Sequence, residues 1–311
     1  MQKIETCDIF TGIQLGIGTW AWGDKLVWGY GNSYSEADIR EAFKVCVGGG
    51  VRFFDSAEVY GQGKAETILG ELCAQEDEEF VIATKMMPFP WRLFHNSLKF
   101  ALQNSLRRLR VNQVQLYQMH WPLPPVKVDT WMDRMAEVVD AGLVKAVGVS
   151  NYTLEQTITA HEALKKRGLR LASNQVEYHL LERRIEQNGL MEYCLEEGIK
   201  IIAYSPLAMG ILTGKYTPEN PPAGTRAAQY NRPYLEKIQP LIKTLIRIGN
   251  DADGKSAGQV AINWCIQKGT LPIPGVKNAA QAVQNLGAIG WQLDAEEMAL
   301  LDEVSLAVTQ P

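Results

Sequence analysis

The amino-acid sequence of 311 residues predicts an α/β fold, a (β/α)8 TIM barrel that occupies residues 1–311 as a single domain. Short apolar segments alternate with amphipathic helical segments eight times. Most of the apolar segments are unbroken, which is typical of parallel strands that are covered on both faces. Asp55, Lys85 and His120 end three of these segments and lie 30 and 35 residues apart, the length of one strand with its return helix. Such repeats favour a closed barrel.

The predicted strands and helices follow each other in order along the chain. The strands are residues 51–55, 79–85, 114–120, 144–151, 172–178, 200–206, 270–275 and 287–291. The helices are residues 35–50, 64–75, 96–109, 130–142, 154–168, 185–198, 257–269 and 278–285. In the first helix, Ser35 has the hydroxyl of an N-cap residue, and Ile39, Phe43 and Val47 lie on one apolar face.

Three further segments lie outside these repeats. Residues 3–19 are expected to form a β-hairpin ahead of the barrel, with its turn at Thr11 and Gly12. Residues 217–254 are predicted to be a long loop insertion, because much of this segment is rich in Pro, Gly and Asn. A C-terminal tail helix is expected near residues 295–307.

An open, doubly wound sheet is the structural alternative to the barrel. Such a sheet can bind dinucleotides at a strand that is followed by the motif G-x-G-x-x-G. The segment "GYGNSYSE" comes nearest to this motif, but it lacks the third glycine and no predicted strand precedes it. The sequence therefore favours the barrel.

Composition and charge narrow the class of protein. The chain is 46% hydrophobic with a net charge of −4, and it has no basic stripe that would predict nucleic-acid binding. No apolar run of about 18 residues predicts a membrane-spanning helix, and the N-terminus lacks the apolar segment of a secretion signal. The five cysteines form no C-x-x-C pair and do not cluster with the four histidines, so we expect reduced thiols, no metal site and a cytoplasmic location.

Polar side chains stand at the carboxyl end of successive predicted strands. They are Asp55, Lys85, His120, Ser150, Asn151, Asn174, Gln175, Tyr204 and Ser205. Each has a structural explanation by itself: Asp55 could cap a helix, and His120 could be a packed residue. Because barrel enzymes build their active sites at this end of the strands, their joint position favours a functional site.

Several of these residues occur in motifs of a known family. The segment "GVRFFDSAEVYGQGKAE", which contains Asp55, Ala57 and Tyr60, resembles the first signature of the aldo-keto reductases. "ATK" contains Lys85, "LYQMHWP" contains His120, and "GVSN", "NQVEYH", "AYSPLAMGILTGKY" and "LPIPGVKN" resemble later family motifs in the same order. "AEVYGQGKAE" and "SPLAMGILTGKY" are more similar to the bacterial, plant and potassium-channel β-subunit branches than to mammalian aldose reductases.

This resemblance implies an NADPH-dependent reductase that transfers a hydride to a small-molecule aldehyde or ketone. Tyr60 would donate the proton to the carbonyl oxygen. Lys85 would lower the pKa of Tyr60, Asp55 would hold the lysine in place, and His120 would orient the carbonyl group. The resemblance also implies a monomer. The charge and the lack of a long apolar run predict neither a nucleic acid nor a membrane as partner.

The resemblance further implies which residues bind the cofactor NADPH/NADP. They are Thr19, Trp20, Ser150, Asn151, Gln175, Tyr204, Ser205, Leu207, Gly210, Leu212, Lys215, Gly275, Lys277, Gln281, Gln284 and Asn285. Ser150, Asn151 and Gln175 would bind the nicotinamide carboxamide, and Tyr204 would stack on its ring. Lys277 would meet the adenosine 2′-phosphate, which favours NADPH over NADH. Gln284 departs from the glutamate of many relatives, and the 217–254 insertion would lie near the cofactor.

Aromatic residues are expected to line the substrate pocket. Trp20, Trp22 and Trp121 are the principal candidates, and Trp28 and Tyr30 could extend the wall. Two functional alternatives remain at this stage. One is a cofactor-sensing regulatory subunit of the channel β-subunit type with weak catalysis, and the other is a phosphate-binding barrel isomerase without redox chemistry.

Overall fold

Eight parallel strands form one sheet in the order of the sequence, as the computed structural model shows for residues 9–224 and 226–309. The strands are β1 Gly16–Gly18, β2 Phe53–Asp55, β3 Val81–Met86, β4 Val114–Met119, β5 Val144–Ser150, β6 Leu171–Glu177, β7 Lys200–Tyr204 and β8 Leu271–Ile273. A parallel bridge between Gly18 and Gly275 joins the first strand to the end of the last. The predicted barrel is thereby confirmed and the open sheet is excluded.

Helices follow the strands and cover the outside of the sheet. They are α1 Glu36–Gly48, α2 Lys64–Cys73, α3 Ser97–Leu109, α4 Val128–Asp140, α5 Leu154–Lys166, α6 Arg184–Gln187, α7 Leu190–Glu196, α8 Arg226–Gln229, α9 Arg232–Lys237, α10 Gln239–Asp251, α11 Ala257–Gln267, α12 Ala279–Leu286 and α13 Ala295–Thr309. The side chain of Ser35 caps α1 as expected, and α13 is the predicted tail helix. In the described ranges, no helix combines the length and the apolar character that crossing a membrane requires.

The first and last strands differ from the prediction. The predicted strand at residues 287–291 is wrong, because the chain turns there and the Trp291 Nε1 donates to the Gly287 carbonyl at 3.0 Å. The missing strand is β1, which is short and contains two glycines, so its composition gives little strand signal. The first arm of the predicted hairpin falls largely on residues 1–8, which lie outside the described part, whereas Gly16–Gly18 at its end pairs in parallel with β2.

The glycines of β1 allow the barrel to close. The Gly18 N–H donates to the Pro274 carbonyl at 3.2 Å. A Cβ atom at position 18 would lie 2.9 Å from the carbonyl oxygen of Ile273, which is too close for a side chain. The glycines of β1 give a weak strand signal in the sequence, but the strand needs them to fit in its place in the barrel.

The predicted loop insertion at residues 217–254 is largely helical and is corrected accordingly. The Pro-rich part ends at Gly224, and the short helices α8 and α9 lead into α10. Helix α10 buries Leu241, Ile242 and Leu245 on one face. This spacing of three and four residues is that of an amphipathic helix.

Alternation along the strands separates two layers of side chains. Phe53, Ala83 and Leu116 belong to a cluster inside the barrel, whereas Phe54 and Tyr117 pack beneath the helices. Since successive strand residues point to opposite faces, the inward positions nearer the carboxyl ends are those of Asp55, Lys85 and Gln118. The fold thus brings polar side chains from three neighbouring strands to one end of the barrel interior.

Helices α2 and α3 pack closely at Gly70. A Cβ atom at this position would lie 2.5 Å from the carbonyl carbon of Leu109 and 2.6 Å from the Arg108 oxygen. We expect Gly70→Ala to lower the free energy of unfolding by about 1–3 kcal/mol, because backbone of α3 must move. The measurement is urea denaturation monitored by circular dichroism.

Gly48→Ala, at the end of α1, is the matched control. A Cβ atom there meets nothing within 4 Å, so the usual helix gain of about 0.5–1 kcal/mol for alanine over glycine is expected. Equal effects of the two substitutions would contradict the packing argument.

Candidate active site

A buried ion pair lies at the centre of the polar end of the barrel. Lys85 on β3 is fully buried, and its Nζ contacts the carboxylate of Asp55 on β2. The same Nζ donates to the Ser56 carbonyl at 2.8 Å and lies 3.3 Å from the Tyr60 Oη. Burial lowers the pKa of Lys85, but the Asp55 charge and these contacts outweigh burial and raise it. Lys85 is therefore a permanent cation beside the Tyr60 hydroxyl.

Two amide side chains hold the other oxygen of Asp55. The Gln175 Nε2 donates to Asp55 Oδ2 at 2.7 Å, and the Gln118 Nε2 donates to it at 3.1 Å. Gln118 is a site residue that the sequence analysis did not identify. Gln118 stands two residues before His120, and strand residues two positions apart point to the same face. This spacing is the signal that could have revealed it.

The turn after β2 brings Tyr60 back over the strand end. The Tyr60 N–H donates to the Ala57 carbonyl at 3.0 Å, and Ala57 is fully buried beneath the turn. Lys85 lowers the pKa of Tyr60, as expected, but it is not the largest influence on that pKa. Burial raises this pKa above 10, Lys85 opposes the rise, and Asp55 adds to it. Tyr60 is therefore protonated and able to donate a proton.

His120 directly follows β4 and lies beside Tyr60. Its ring centroid is 5.7 Å from that of Tyr60, at an interplanar angle of 81°. Burial and the nearby charge of Lys85 lower the pKa of His120 to about 3, so the imidazole is neutral at physiological pH. Its Nδ1 is buried without a hydrogen-bond partner in the described part of the chain.

Residues of β5, β6 and β7 form a hydrogen-bonded group next to this centre. Ser150 donates to the Gln175 carbonyl at 2.9 Å, and Tyr204 donates to the Asn151 Oδ1 at 3.0 Å. Asn151 has a φ of 62° and its Nδ2 donates to the His120 carbonyl at 3.2 Å. The structure therefore brings these four predicted residues together. Thr19 lies at the same end, where its hydroxyl donates to the Asp55 carbonyl at 3.1 Å.

A strained turn follows β7 and carries the next group of predicted residues. Ser205 and Gly210 both have positive φ, at 52° and 95°. The Lys215 side chain folds back onto this turn, so that a Cβ atom on Gly210 would lie 3.4 Å from its Nζ. Leu207 is partly buried here, whereas Leu212 is fully buried in the core. The Leu212 side chain packs in the core, so that only its backbone is left for the predicted cofactor contact, which stays a prediction.

Three cations gather between this turn and the loop after β8. Lys215 and Arg226 lie over the Tyr216 ring at 4.9 and 5.4 Å. Burial lowers the pKa of Lys277, and the charges of Arg226 and Lys215 lower it further. None of the three pairs with a carboxylate within residues 9–224 and 226–309. Arg226, which the sequence analysis did not identify, completes this cluster.

Helix α12 begins next to Lys277. Asn278 caps it, and the Gln281 Oε1 accepts the Lys277 N–H at 2.9 Å. Asn285 is buried and its amide approaches the Gly275 carbonyl at 3.5 Å. Gln284 lies exposed on the same helix.

Aromatic side chains stand beside Tyr60 and His120. Trp20 is 38% exposed, and its ring lies 6.3 Å from that of Tyr60. Trp121, next to His120, is 41% exposed. Trp22, predicted to line the pocket, is instead fully buried: it packs against Phe54 and its indole donates to the Val276 carbonyl at 3.0 Å. This prediction is wrong because the core takes up the whole indole.

A charged clamp fastens the segment after β3 to the Tyr60 turn. Arg92 binds the Glu58 carboxylate through both terminal guanidinium nitrogens, Nη1 and Nη2, the latter at 3.0 Å. The Met87 N–H donates to the same carboxylate at 2.8 Å. The Glu58 N–H in turn donates to the Lys85 carbonyl at 3.2 Å. The segment that follows Lys85, to which the sequence analysis assigned no role, is thus tied to the loop that carries Tyr60.

Comparisons with known proteins agree with this arrangement. The model of the aldo/keto reductase family matches residues 14–306. The chain is 40% identical over 301 residues to chloroplastic pyridoxal reductase from Arabidopsis thaliana, covering 93% of this chain and 82% of the relative.

Two solved structures share the fold and cover most of both chains. Glycerol dehydrogenase AKR11B4 from Gluconobacter oxydans superposes with a TM-score of 0.86 at 25% identity, covering 98% of this chain and 95% of the other. An aldo-keto reductase from Klebsiella pneumoniae in complex with NADPH has a TM-score of 0.72 at 27% identity, covering 96% and 92%. The chain therefore belongs to the aldo/keto reductase family.

Proposed function

We propose that this protein is an NADPH-dependent reductase of aldehydes or ketones, and that flat aromatic aldehydes such as pyridoxal are its preferred substrates. The observation that carries the proposal is the contact of the Tyr60 hydroxyl with a fully buried lysine, at 3.3 Å, beside a neutral histidine. A proton donor, a fixed cation and a carbonyl-binding imidazole are the groups that carbonyl reduction needs from the protein.

The residues of this chain have separate parts in the reaction. The bound cofactor supplies the hydride to the carbonyl carbon. The Tyr60 Oη–H donates its proton to the carbonyl oxygen, so that the product is an alcohol, and Tyr60 regains a proton from water. Lys85 stabilises the negative charge that develops on the Tyr60 oxygen during this transfer. The neutral imidazole of His120 has one N–H group, which can donate a hydrogen bond to the carbonyl oxygen.

The structure also fits a nicotinamide cofactor with an additional phosphate. Lys215, Arg226 and Lys277 would hold its phosphate groups, since none of them has a carboxylate partner in the described ranges and anions favour such clusters. Ser150, Asn151 and Gln175 would orient the nicotinamide amide. Tyr204, whose hydroxyl is fixed by its hydrogen bond to Asn151, would pack on the nicotinamide ring.

The aromatic wall supports flat substrates. Trp20 exposes a large ring surface close to Tyr60, and the exposed Trp121 directly follows His120 in the chain. Aromatic rings stack favourably on one another. The 40% identity to a chloroplastic pyridoxal reductase supports pyridoxal as the first aldehyde to test.

Tyr60→Phe tests the proton donor. We expect kcat for aldehyde reduction to fall by about 10²–10⁴-fold, because the hydroxyl proton is lost, while NADPH affinity is retained. Tyr117→Phe is the matched control, since that buried hydroxyl has no partner in the described part of the chain and lies on the outer face of β4. Full turnover by Tyr60→Phe would refute the assignment, and slow turnover of the unmodified protein with tight NADPH binding would favour a regulatory subunit.

The pH dependence follows from the two shifted pKa values. The donor form of Tyr60 persists until the pH exceeds its pKa, which lies above 10. His120, with a pKa of about 3, stays neutral at every pH above that value. We expect kcat/KM for reduction to be flat between about pH 6 and about pH 9 and to fall only at higher pH. An inflection near 6.5 would show that His120 titrates and would contradict the burial argument.

A substrate comparison tests the aromatic wall. We expect pyridoxal and pyridine carboxaldehydes to have kcat/KM values about two- to ten-fold above that of propanal, since stacking contributes about 0.5–1.5 kcal/mol per ring pair. Trp20→Ala should reduce this preference, measured by NADPH absorbance. Equal kcat/KM values for aromatic and short aliphatic aldehydes would rule out an aromatic preference.

A further inference from the structure

A line of side chains connects the cation cluster to Tyr60. The Lys277 ammonium lies 4.5 Å from the centroid of the Trp28 ring and 5.1 Å from that of Tyr34. The Trp28 ring meets Trp20 edge to face at 5.4 Å, and Trp20 lies 6.3 Å from Tyr60. Trp28 therefore contacts both the lysine at one end of the cleft and the aromatic wall at the other.

The backbone and the ring of Trp28 are held by different groups. Asp24 Oδ1 accepts the N–H groups of Val27 at 2.7 Å and Trp28 at 3.2 Å, which anchors the loop. The indole Nε1 is buried without a partner among the described residues. The position of the ring therefore depends on its contacts with Lys277, Trp20 and the surrounding core, and not on a hydrogen bond of its own.

The contacts that hold the Lys277 ammonium are weaker than the hydrogen bonds that a bound anion would accept from it. Its only hydrogen bond from Nζ among the described residues goes to the Trp28 carbonyl at 3.4 Å. A cation over an aromatic ring gains about 0.5–1 kcal/mol at partly exposed sites, whereas charge-assisted hydrogen bonds to phosphate are stronger. A phosphate ester in the cation cluster would compete with Trp28 for the lysine.

We propose that Trp28 is a positioning residue that couples the phosphate end of the cleft to the carbonyl end. A phosphate ester that binds Lys277 draws the ammonium away from the Trp28 ring. The Trp28 ring then shifts, and with it the Trp20 ring that lies beside Tyr60. The inference rests on the proposed function, because it takes a cofactor phosphate as the anion. Beyond that function, the coupling makes binding of the carbonyl substrate depend on whether the phosphate is bound at Lys277.

The test uses adenosine 2′,5′-bisphosphate, which carries the additional phosphate without a nicotinamide, and adenosine 5′-monophosphate, which lacks it. Affinities are measured by titration calorimetry, and tryptophan contacts by near-ultraviolet circular dichroism. If Trp28 competes for Lys277, Trp28→Leu should bind the bisphosphate about two- to five-fold more tightly. Affinity for the monophosphate should not change.

The bisphosphate should also change the tryptophan spectrum of the unmodified protein, and Trp28→Leu should lose that change. With NADPH, Trp28→Leu should raise KM for the aldehyde more than it lowers kcat, since Tyr60 is untouched. Trp291→Leu is the matched control, because Trp291 meets Lys255 at 5.7 Å in a comparable pair that involves none of the site residues.

Unchanged or weaker bisphosphate binding by Trp28→Leu would overturn the inference and leave the proposed function intact. A bisphosphate that binds without altering the spectrum of the unmodified protein would overturn it too. If the unmodified protein binds neither the bisphosphate nor NADPH, the proposed function itself fails. Thermal unfolding of each variant establishes that it is folded under the conditions of the titration.

Discussion

The buried contact between Lys85 and Asp55 is the constraint on which the rest of the site depends. Removing two charges from water costs several kcal/mol per ion unless the partners and their remaining hydrogen-bonding groups are satisfied. The barrel meets this requirement with the Ser56 carbonyl for Lys85 and with the amides of Gln118 and Gln175 for Asp55. In the described ranges, the Lys85 ammonium has a third polar contact that its neutralisation does not require, and this contact reaches the Tyr60 hydroxyl.

The two ends of the cleft differ in how their cations are paired. At the carbonyl end, Lys85 is fully buried and paired. At the other end, Lys215, Arg226 and Lys277 have aromatic neighbours and, in the described ranges, no carboxylate within ion-pair distance. A cation that serves catalysis must not move, whereas cations that receive an anion must remain available to it. The difference supports a reaction centre at one end and an anion site at the other.

Much of the fold and of the reaction centre could be predicted because both depend on local pattern. Asp55, Lys85 and His120 stand at the ends of apolar strands, and parallel strands bring such ends together. Other features depend on contacts between distant segments. The strand Gly16–Gly18 exists because its glycines fit against Ile273, and Trp22 and Leu212 are buried by neighbours far away in sequence. The direction of the Tyr60 pKa shift follows from burial, which motif spacing does not describe.

The clamp between Glu58 and Arg92 bears on how this protein could acquire new substrates. It attaches the segment after β3 to the same short turn that presents Tyr60. Changes between Met87 and Arg92 would therefore disturb the position of Tyr60. Changes beyond Arg92, where Leu93 and Phe94 are exposed, are separated from the turn by the clamp. Substitutions on the far side of Arg92 are thus expected to disturb the Tyr60 turn less than substitutions between Met87 and Arg92.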